Sequence, residues 1–186
     1  MNTRKKVIIA ILLVSFFIVY GICVYNTNQK YKPPQQKYYG LNDTVECAGM
    51  SYTLISMDSY LIDELAEKYD FVPEDLNITN DYVRRYYIAC VEITKLTEDA
   101  KLTEIGKYNK YSSSNSFEIF VEDFINDGLI YNSQLEIGET VRYYFVKSLI
   151  DYAFSEDTWN NLDESDLWLR LYDEENGYEY FLGTDL

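Results

Sequence analysis

An uncharged apolar run over residues 7–25 limits what this chain can fold into more than any other feature of its sequence. At a rise of about 1.5 Å per residue, a helix of this length spans roughly 28 Å, which is close to the thickness of a bilayer's hydrocarbon core. That core has no water to hydrogen-bond the backbone, so a single run of this kind crosses it as a helix. The run therefore predicts one N-terminal transmembrane helix over residues 7–25.

Basic residues before the run predict its orientation in the cell membrane. Arg4, Lys5 and Lys6 precede it directly, and the positive-inside rule keeps such a segment in the cytoplasm. We therefore expect a single-pass membrane protein in which residues 1–6 are a cytoplasmic tail and the chain after residue 25 is extracytoplasmic. A cleaved signal peptide is the alternative, but its apolar region is shorter, and residues 21–23 match a cleavage site poorly.

A polar linker is predicted between the run and the folded domain. Residues 26–37 have no hydrophobic periodicity and contain Pro33-Pro34, which favours an extended, polyproline-like chain. The residues that follow, 38–186, are enough for one domain with its own hydrophobic core.

Charge and composition exclude several classes of function. The first 37 residues hold six basic residues and no acidic ones, which leaves 10 basic and 31 acidic residues and a formal charge of −21 for the predicted domain. Phosphates need a basic footprint, so this charge argues against a nucleic-acid partner. The chain has no His, which rules out Ser-His-Asp and Cys-His catalysis and imidazole metal sites. We expect no enzymatic activity, no cofactor and no metal.

The domain has the sequence pattern of a mainly β protein. Its segments alternate polar with apolar residues and are rich in Tyr, Val, Ile and Thr, as β-strands are. Ala48-Gly49 offers a turn between the first two such segments, which predicts a first hairpin, and Asn176-Gly177 is a strong signal for a last one. Residues 97–116 are polar and are predicted to form a loop. The predicted strands cover residues 44–47, 50–57, 82–96, 117–124, 140–146, 167–172 and 178–182. The strand over residues 82–96 is apolar on both faces at its centre, which predicts a position inside a sheet. Leu167, Leu169 and Leu171 are predicted to point to the core.

Two segments change to helical spacing. Over residues 60–69, Leu61, Leu65 and Tyr69 recur every four residues, which predicts a short amphipathic helix. Ser155 is placed to cap a helical turn that carries Trp159. Six or seven strands with one helical insertion predict a β-sandwich for the domain.

Four stretches carry a family resemblance, namely residues 42–45, 49–56, 87–94 and 135–141. Together with the final hairpin they resemble the membrane-anchored, immunoglobulin-like domains of unknown function of Gram-positive bacteria. The resemblance covers most of residues 38–186 and implies an extracytoplasmic, immunoglobulin-like β-sandwich with a short helical insertion. It carries over no catalytic residues.

Cys47 and Cys90 both lie in the predicted extracytoplasmic domain, where a disulfide can persist. They form either a disulfide or two buried free thiols. Their positions along the strands do not agree, because Cys47 shares a face with Val45 whereas Cys90 lies opposite Val91. Neither thiol has an imidazole base, so neither is a candidate nucleophile.

Tyrosine is abundant, with 20 residues in the chain, and two roles are open for it. Exposed rings suit glycan or protein contacts, whereas tyrosines paired across strands stabilise a sheet. The candidates for exposed contacts are Tyr38, Tyr39, Tyr82, Tyr86, Tyr143 and Tyr144.

These features predict a membrane-anchored extracytoplasmic binding or structural module, held in the membrane by residues 7–25. Its partner is a protein or a cell-wall glycan. One alternative is an accessory subunit of a membrane protein complex, which would contact its partner through the apolar helix. A carboxylate-dependent hydrolase is a further alternative, since the remaining route to hydrolysis uses paired acids.

Overall fold

The structure is a computed structural model that describes residues 3–30, 33–73, 83–100, 105–109, 119–127, 135–163 and 167–184. It divides into two compact units, residues 1–34 and residues 35–186. The elements of the second unit are strands β1 (Gln35–Tyr39), β2 (Thr44–Cys47), β3 (Met50–Leu61), β4 (Arg84–Lys95), β5 (Ile105–Asn109), β6 (Thr140–Ile150), β7 (Leu167–Asp173) and β8 (Tyr178–Leu182), with helices α2 (Ile62–Tyr69), α3 (Ile119–Ile125) and α4 (Glu156–Asn160).

The first unit contains helix α1, Thr3–Lys30. Large apolar side chains between Leu13 and Tyr25 are exposed all around it. A search of the described residues finds no helix both long and apolar enough to span a membrane. Helix α1 ends at Lys30 and β1 begins at Gln35, so the linker between them is shorter than the one predicted over residues 26–37. Proline first interrupts the chain at Pro33-Pro34, so the helix runs on to Lys30.

The described strands form two four-stranded sheets, which we call sheet A and sheet B. Sheet B has the order β2-β3-β4-β6, and its strands are all antiparallel to their neighbours. The predicted first hairpin is confirmed, and Ala48-Gly49 makes its turn with positive φ at both residues. The long strand predicted over residues 82–96 is also confirmed as β4, which lies between β3 and β6.

The four strands of sheet A follow the order β1-β8-β7-β5. The predicted hairpin around Asn176-Gly177 is confirmed, since β7 and β8 pair antiparallel across it. The Asp173 carboxylate accepts the backbone N–H of Asn176 at 3.0 Å and so fixes the turn. β1 pairs parallel with β8, which joins the first strand of the domain to the last.

Two hydrophobic clusters hold the domain together. The larger lies between the sheets, where Tyr52, Leu54, Ile93, Leu169 and Leu182 are at most 2% exposed. The smaller lies on the outer face of sheet B, where α2 and α3 pack on β4 and β6. Both faces of β4 are therefore buried, which explains why its sequence is apolar on both sides.

Both predicted helices are present. The stripe predicted for α2 is confirmed for Leu65, which is fully buried in the smaller cluster, and for Tyr69, which packs against it. It was wrong for Leu61, which ends β3 and is 41% exposed. Ser155 caps α4 by accepting the backbone N–H of Thr158 at 3.2 Å.

Two predictions of local structure were wrong. Residues 117–124 were predicted as a strand, whereas Ile119–Ile125 is helix α3. Val121 and Ile125, four residues apart, pack into the same cluster, so the helical spacing prevails over the local alternation. Residues 97–116 were predicted as a loop, yet Ile105–Asn109 pairs with β7 along the edge of sheet A.

The β2–β3 turn is expected to tolerate no side chain at its second residue. Gly49 has φ +79°, and a Cβ there would lie 2.9 Å from the Ala100 Cα, so Gly49→Ala adds a clash to backbone strain. Gly138 has φ +83° with open space around it, so Gly138→Ala adds strain alone. We expect losses of about 3 kcal/mol and about 1 kcal/mol in urea unfolding, respectively. Equal losses would mean that Ala100 and its neighbours move aside without cost.

Candidate functional site

The outer face of sheet A presents aromatic and polar side chains. Leu167, Leu169 and Leu171 of β7 point into the core, so the alternation of the strand turns the residues between them outward. The paired residues of β8 and β1 follow from the register. We call this surface the aromatic face; it comprises Gln36, Tyr38, Trp168, Arg170, Tyr172, Glu179 and Phe181.

The centre of the aromatic face is a stacked pair of rings. Tyr38 of β1 is paired with Phe181 of β8, and their ring centroids lie 5.2 Å apart with an interplanar angle of 21°. Tyr38 is 52% exposed and Tyr172 is 43% exposed, so solvent reaches the face on both sides of β8. Helices α2 and α3 pack on the other sheet.

Trp168 extends the face beyond the stacked pair. Its indole lies over Gly183, where a Cβ would overlap Trp168 Cδ1 and approach Nε1 to 2.9 Å. Glycine at this position therefore lets the ring lie flat against the backbone. The indole N–H has no hydrogen-bond partner among the described residues, which is a cost to the free protein.

Polar groups cross the face beside the rings. Arg170 forms an ion pair with Glu179 at 3.1 Å, and the Gln36 side chain donates to the same carboxylate at 3.3 Å. The side chains of Arg170 and Glu179 are 33% and 13% exposed, so the pair is held in place and solvent reaches it mainly at Arg170. The face thus combines fixed rings with fixed hydrogen-bonding groups of balanced charge.

Among the described strands, the outer edge of β1 has no partner, and it carries an exposed charge. Lys37 lies on the core-facing side of the strand by register, yet it is exposed and its Nζ lies 3.7 Å from the centroid of the Tyr178 ring. A lysine on an edge strand discourages pairing with another chain. The aromatic face is therefore a more accessible contact surface than the strand edge beside it.

The tyrosines that were candidates for exposed contacts have different environments. Tyr38 is exposed, whereas Tyr39 and Tyr144 are partly buried against the two clusters. The prediction was wrong for Tyr86 and Tyr143, which are 0% and 6% exposed. Each belongs to a strand that is covered on both faces. Tyr82 lies outside the described residues.

Cys47 and Cys90 are both buried, and the disulfide considered from the sequence is not formed. Cys47 faces sheet A, whereas Cys90 alternates with Val91 and contacts Tyr144 on the helix-covered side of sheet B. Burial raises the pKa of the Cys90 thiol, which keeps it protonated and weakly nucleophilic.

A second polar cluster lies between the neighbouring edges of β5 and β6. Lys107 forms an ion pair with Glu122 of α3, and both side chains are at least 85% buried. Lys147 points between the sheets, is 1% exposed, and donates to the Lys107 carbonyl at 2.9 Å. Burial, together with the nearby Lys107 charge, lowers the pKa of Lys147 to about 8. This cluster is too buried to meet a ligand.

Sequence reasoning missed Trp168, Arg170, Tyr172 and Phe181, although the signal was present. The strand of Leu167, Leu169 and Leu171 was recognised with its leucines facing the core, and the same alternation puts the intervening residues on the outer face. What alternation does not show is the parallel pairing that brings Tyr38 beside them.

Comparisons with known proteins identify no relative of this chain. The chain matches no family model, no curated protein and no solved structure. Within the described residues no group of three or more Cys, Asp or Glu is placed to hold a metal ion. The resemblance to immunoglobulin-like domains of Gram-positive bacteria stays a prediction.

Proposed function

We propose that this chain is a membrane-anchored, extracytoplasmic binding module whose aromatic face binds a neutral glycan chain. The observation that carries the proposal is the stacked Tyr38–Phe181 pair on an open sheet, flanked by Trp168 and by the fixed Arg170–Glu179 pair. No enzymatic step is assigned to it.

The ligand chemistry follows from the composition of the face. Sugar rings have apolar C–H faces that pack on aromatic rings, and they have hydroxyls that hydrogen-bond to groups such as the Arg170–Glu179 pair and Gln36. The domain around the face carries a formal charge of −21 after residue 37, which repels anionic polymers. A neutral glycan is therefore a better fit than an acidic one.

The order in which the strands change sheets supports an immunoglobulin-like topology. In an immunoglobulin domain, strands A, B, E and D form one sheet and strands C, F and G form the other. Here β4 and β6 are neighbours in sheet B, as strands B and E are in the first immunoglobulin sheet. Strands β5, β7 and β8 belong to sheet A, as strands C, F and G belong to the second. β3 takes the place of strand A, and β1 and β2 are additions to the pattern.

The proposed anchor rests on the uncharged apolar run of the sequence at residues 7–25. A helix that is apolar on all sides suits a lipid environment, because an ordinary surface helix has a polar face. Arg4, Lys5 and Lys6 would hold the N-terminus in the cytoplasm. The domain would then face outward.

The proposal is tested with the full-length protein in detergent micelles on a glycan array. The array carries neutral hexose oligomers, N-acetylhexosamine oligomers and uronate oligomers. We expect retention on neutral oligomers, and roughly five- to tenfold weaker binding for Tyr38→Ala or Phe181→Ala, since each loses one stacking contact. Titration calorimetry with the best-bound oligomer measures the change.

Tyr152→Ala is the matched control, because Tyr152 is 69% exposed and lies outside the aromatic face. It is expected to bind as the unchanged protein does. Absence of any glycan binding, or equal weakening in the control, would contradict the proposal. Cross-linking in cells that recovers one stoichiometric membrane protein would instead favour the accessory-subunit alternative.

A further inference from the structure

Glu179 is the more buried of the two charged residues of the aromatic face, with 13% of its side chain exposed against 33% for Arg170. It belongs to β8, the strand between β1 and β7. The register pairs it with Gln36 on one side and with Tyr172 on the other, and Arg170 lies on the diagonal. Side chains at paired and diagonal positions are within reach of each other, so Glu179 can contact both neighbouring strands at once.

Each carboxylate oxygen of Glu179 has a partner on a different strand. Oε1 accepts a hydrogen bond from the Arg170 guanidinium at 3.1 Å, and Oε2 accepts one from the Gln36 side chain at 3.3 Å. The Gln36 carboxamide oxygen in turn accepts the Tyr38 hydroxyl at 3.2 Å. A chain of hydrogen bonds therefore runs from β7 to the exposed ring on β1, and the Glu179 carboxylate lies at its centre.

The same carboxylate sets the charge of the surface that a ligand meets. Arginine is always protonated in proteins, and its planar guanidinium binds carboxylates well, so Arg170 alone would attract an acidic glycan. Glu179 already contacts this guanidinium, and as part of the same chain it competes with a ligand carboxylate at a high effective concentration. Its negative charge also repels a second carboxylate at the same place.

We infer that Glu179 is the specificity-determining residue that keeps acidic glycans off the aromatic face. The inference rests on the proposed glycan binding and names the residue responsible for its preference. The formal charge of −21 is spread over the whole domain, and salt screens exposed charges beyond about 8–10 Å. Glu179 acts on Arg170 at hydrogen-bond distance instead, so the preference for neutral chains is local and one substitution changes it.

Glu179→Gln tests this inference in the full-length protein in detergent micelles, because it removes the charge but keeps the size and an acceptor oxygen. Titration calorimetry measures binding of neutral hexose oligomers and of uronate oligomers of equal length. We expect the ratio of uronate to neutral affinity to rise about tenfold or more. The rise should shrink with increasing salt, since exposed charge pairs are screened. A merely structural defect would weaken both ligands and would not produce this gain.

Glu46→Gln is the matched control, because it changes the net charge by the same amount at an exposed position of β2, in the other sheet. It is expected to keep the affinity ratio of the unchanged protein. The double variant Arg170→Gln/Glu179→Gln is expected to lose the gain in uronate binding, since the guanidinium that holds the ligand carboxylate is gone.

An unchanged ratio in Glu179→Gln, or an equal rise in Glu46→Gln, would overturn the inference, while binding of neutral oligomers would leave the proposed function standing. If the unchanged protein binds no neutral oligomer, the proposed function fails. Uronate binding gained in Glu179→Gln would then still support the role of Glu179, whereas no gain would overturn it as well. Should Glu179→Gln not fold, Glu179→Ser is measured in the same way and decides by the same ratio.

Discussion

Replacing Lys147 with methionine is expected to make the protein more stable at neutral pH by about 2 kcal/mol. Lys147 is 1% exposed between the sheets, and its charged form is disfavoured there, as its pKa of about 8 indicates. The difference from the usual value of 10.5 corresponds to a cost of roughly 3 kcal/mol. Methionine has a similar volume, and the polar contacts that it loses, among them the hydrogen bond to the Lys107 carbonyl, are worth about 1 kcal/mol.

The gain from Lys147→Met is expected to shrink as the pH rises. Below pH 8 the lysine is charged in both the folded and the unfolded protein, and the folded state bears the full cost. Between pH 8 and 10.5 the folded protein has lost the proton and the unfolded protein keeps it, so the unchanged protein gains stability with increasing pH. Above that range the side chain is neutral in both states and the cost is gone.

Urea unfolding of the two proteins at pH 7, 8 and 9 measures this difference. Tyrosines also titrate at high pH, but they are the same in both proteins, so their contribution cancels in the comparison. A methionine variant that is less stable at pH 7, or a difference that does not fall with pH, would show that Lys147 is stabilised by its surroundings more than it is penalised by burial.

The second large effect is expected at the centre of the smaller hydrophobic cluster. Leu65 of α2 is fully buried, so Leu65→Ala removes apolar contact and leaves a cavity, at a cost of about 3 kcal/mol. Leu61, one turn earlier, is 41% exposed and contributes its backbone N–H, which donates to Glu64 at 2.8 Å. Leu61→Ala is therefore expected to cost less than 1 kcal/mol.

Urea unfolding of both leucine variants gives the comparison. The Leu65 variant should also lose protection from hydrogen exchange along α2 before the rest of the domain unfolds, because the helix is held to sheet B through this cluster. Equal losses of stability in the two variants would mean that α2 contributes to the domain through its exposed side as much as through its buried one.

Strong local patterns predicted much of the fold from sequence. The hairpins around Ala48-Gly49 and Asn176-Gly177 were predicted from turns that contain a glycine, and Gly49 and Gly177 both have positive φ. The interior position of β4 followed from its two apolar faces. These features depend on neighbours in the sequence, so a single chain contains enough information to predict them.

Features that depend on distant segments were not predictable in the same way. β5 is short, polar and interrupted by Gly106, and its strand conformation comes from pairing with β7 rather than from its own residues. The parallel pairing of β1 with β8 leaves no local signature. The aromatic face depends on that pairing. Strand β7, which contains the three leucines, was recognisable from the sequence, whereas the position of Tyr38 in the same face was not.

The tyrosines show why an aromatic residue in a strand does not by itself predict exposure. Tyr86 and Tyr87 are consecutive and point to opposite faces of sheet B, and the same holds for Tyr143 and Tyr144. In a sheet with one face in solvent, one member of each pair would be exposed. Here sheet A covers one face and α2 and α3 cover the other, so the rings on both faces pack into clusters.

The parallel pairing of β1 with β8 also bears on the order in which the domain assembles as the chain is made. β2, β3 and β4 are close in sequence and antiparallel, so they can pair as soon as they emerge. β1 is made before any of them, yet the strand that it pairs with is the last of the domain. Closing so long a loop costs more entropy than forming a hairpin. The segment next to the apolar helix is therefore the last to be secured, and the aromatic face is completed only when synthesis has reached β8.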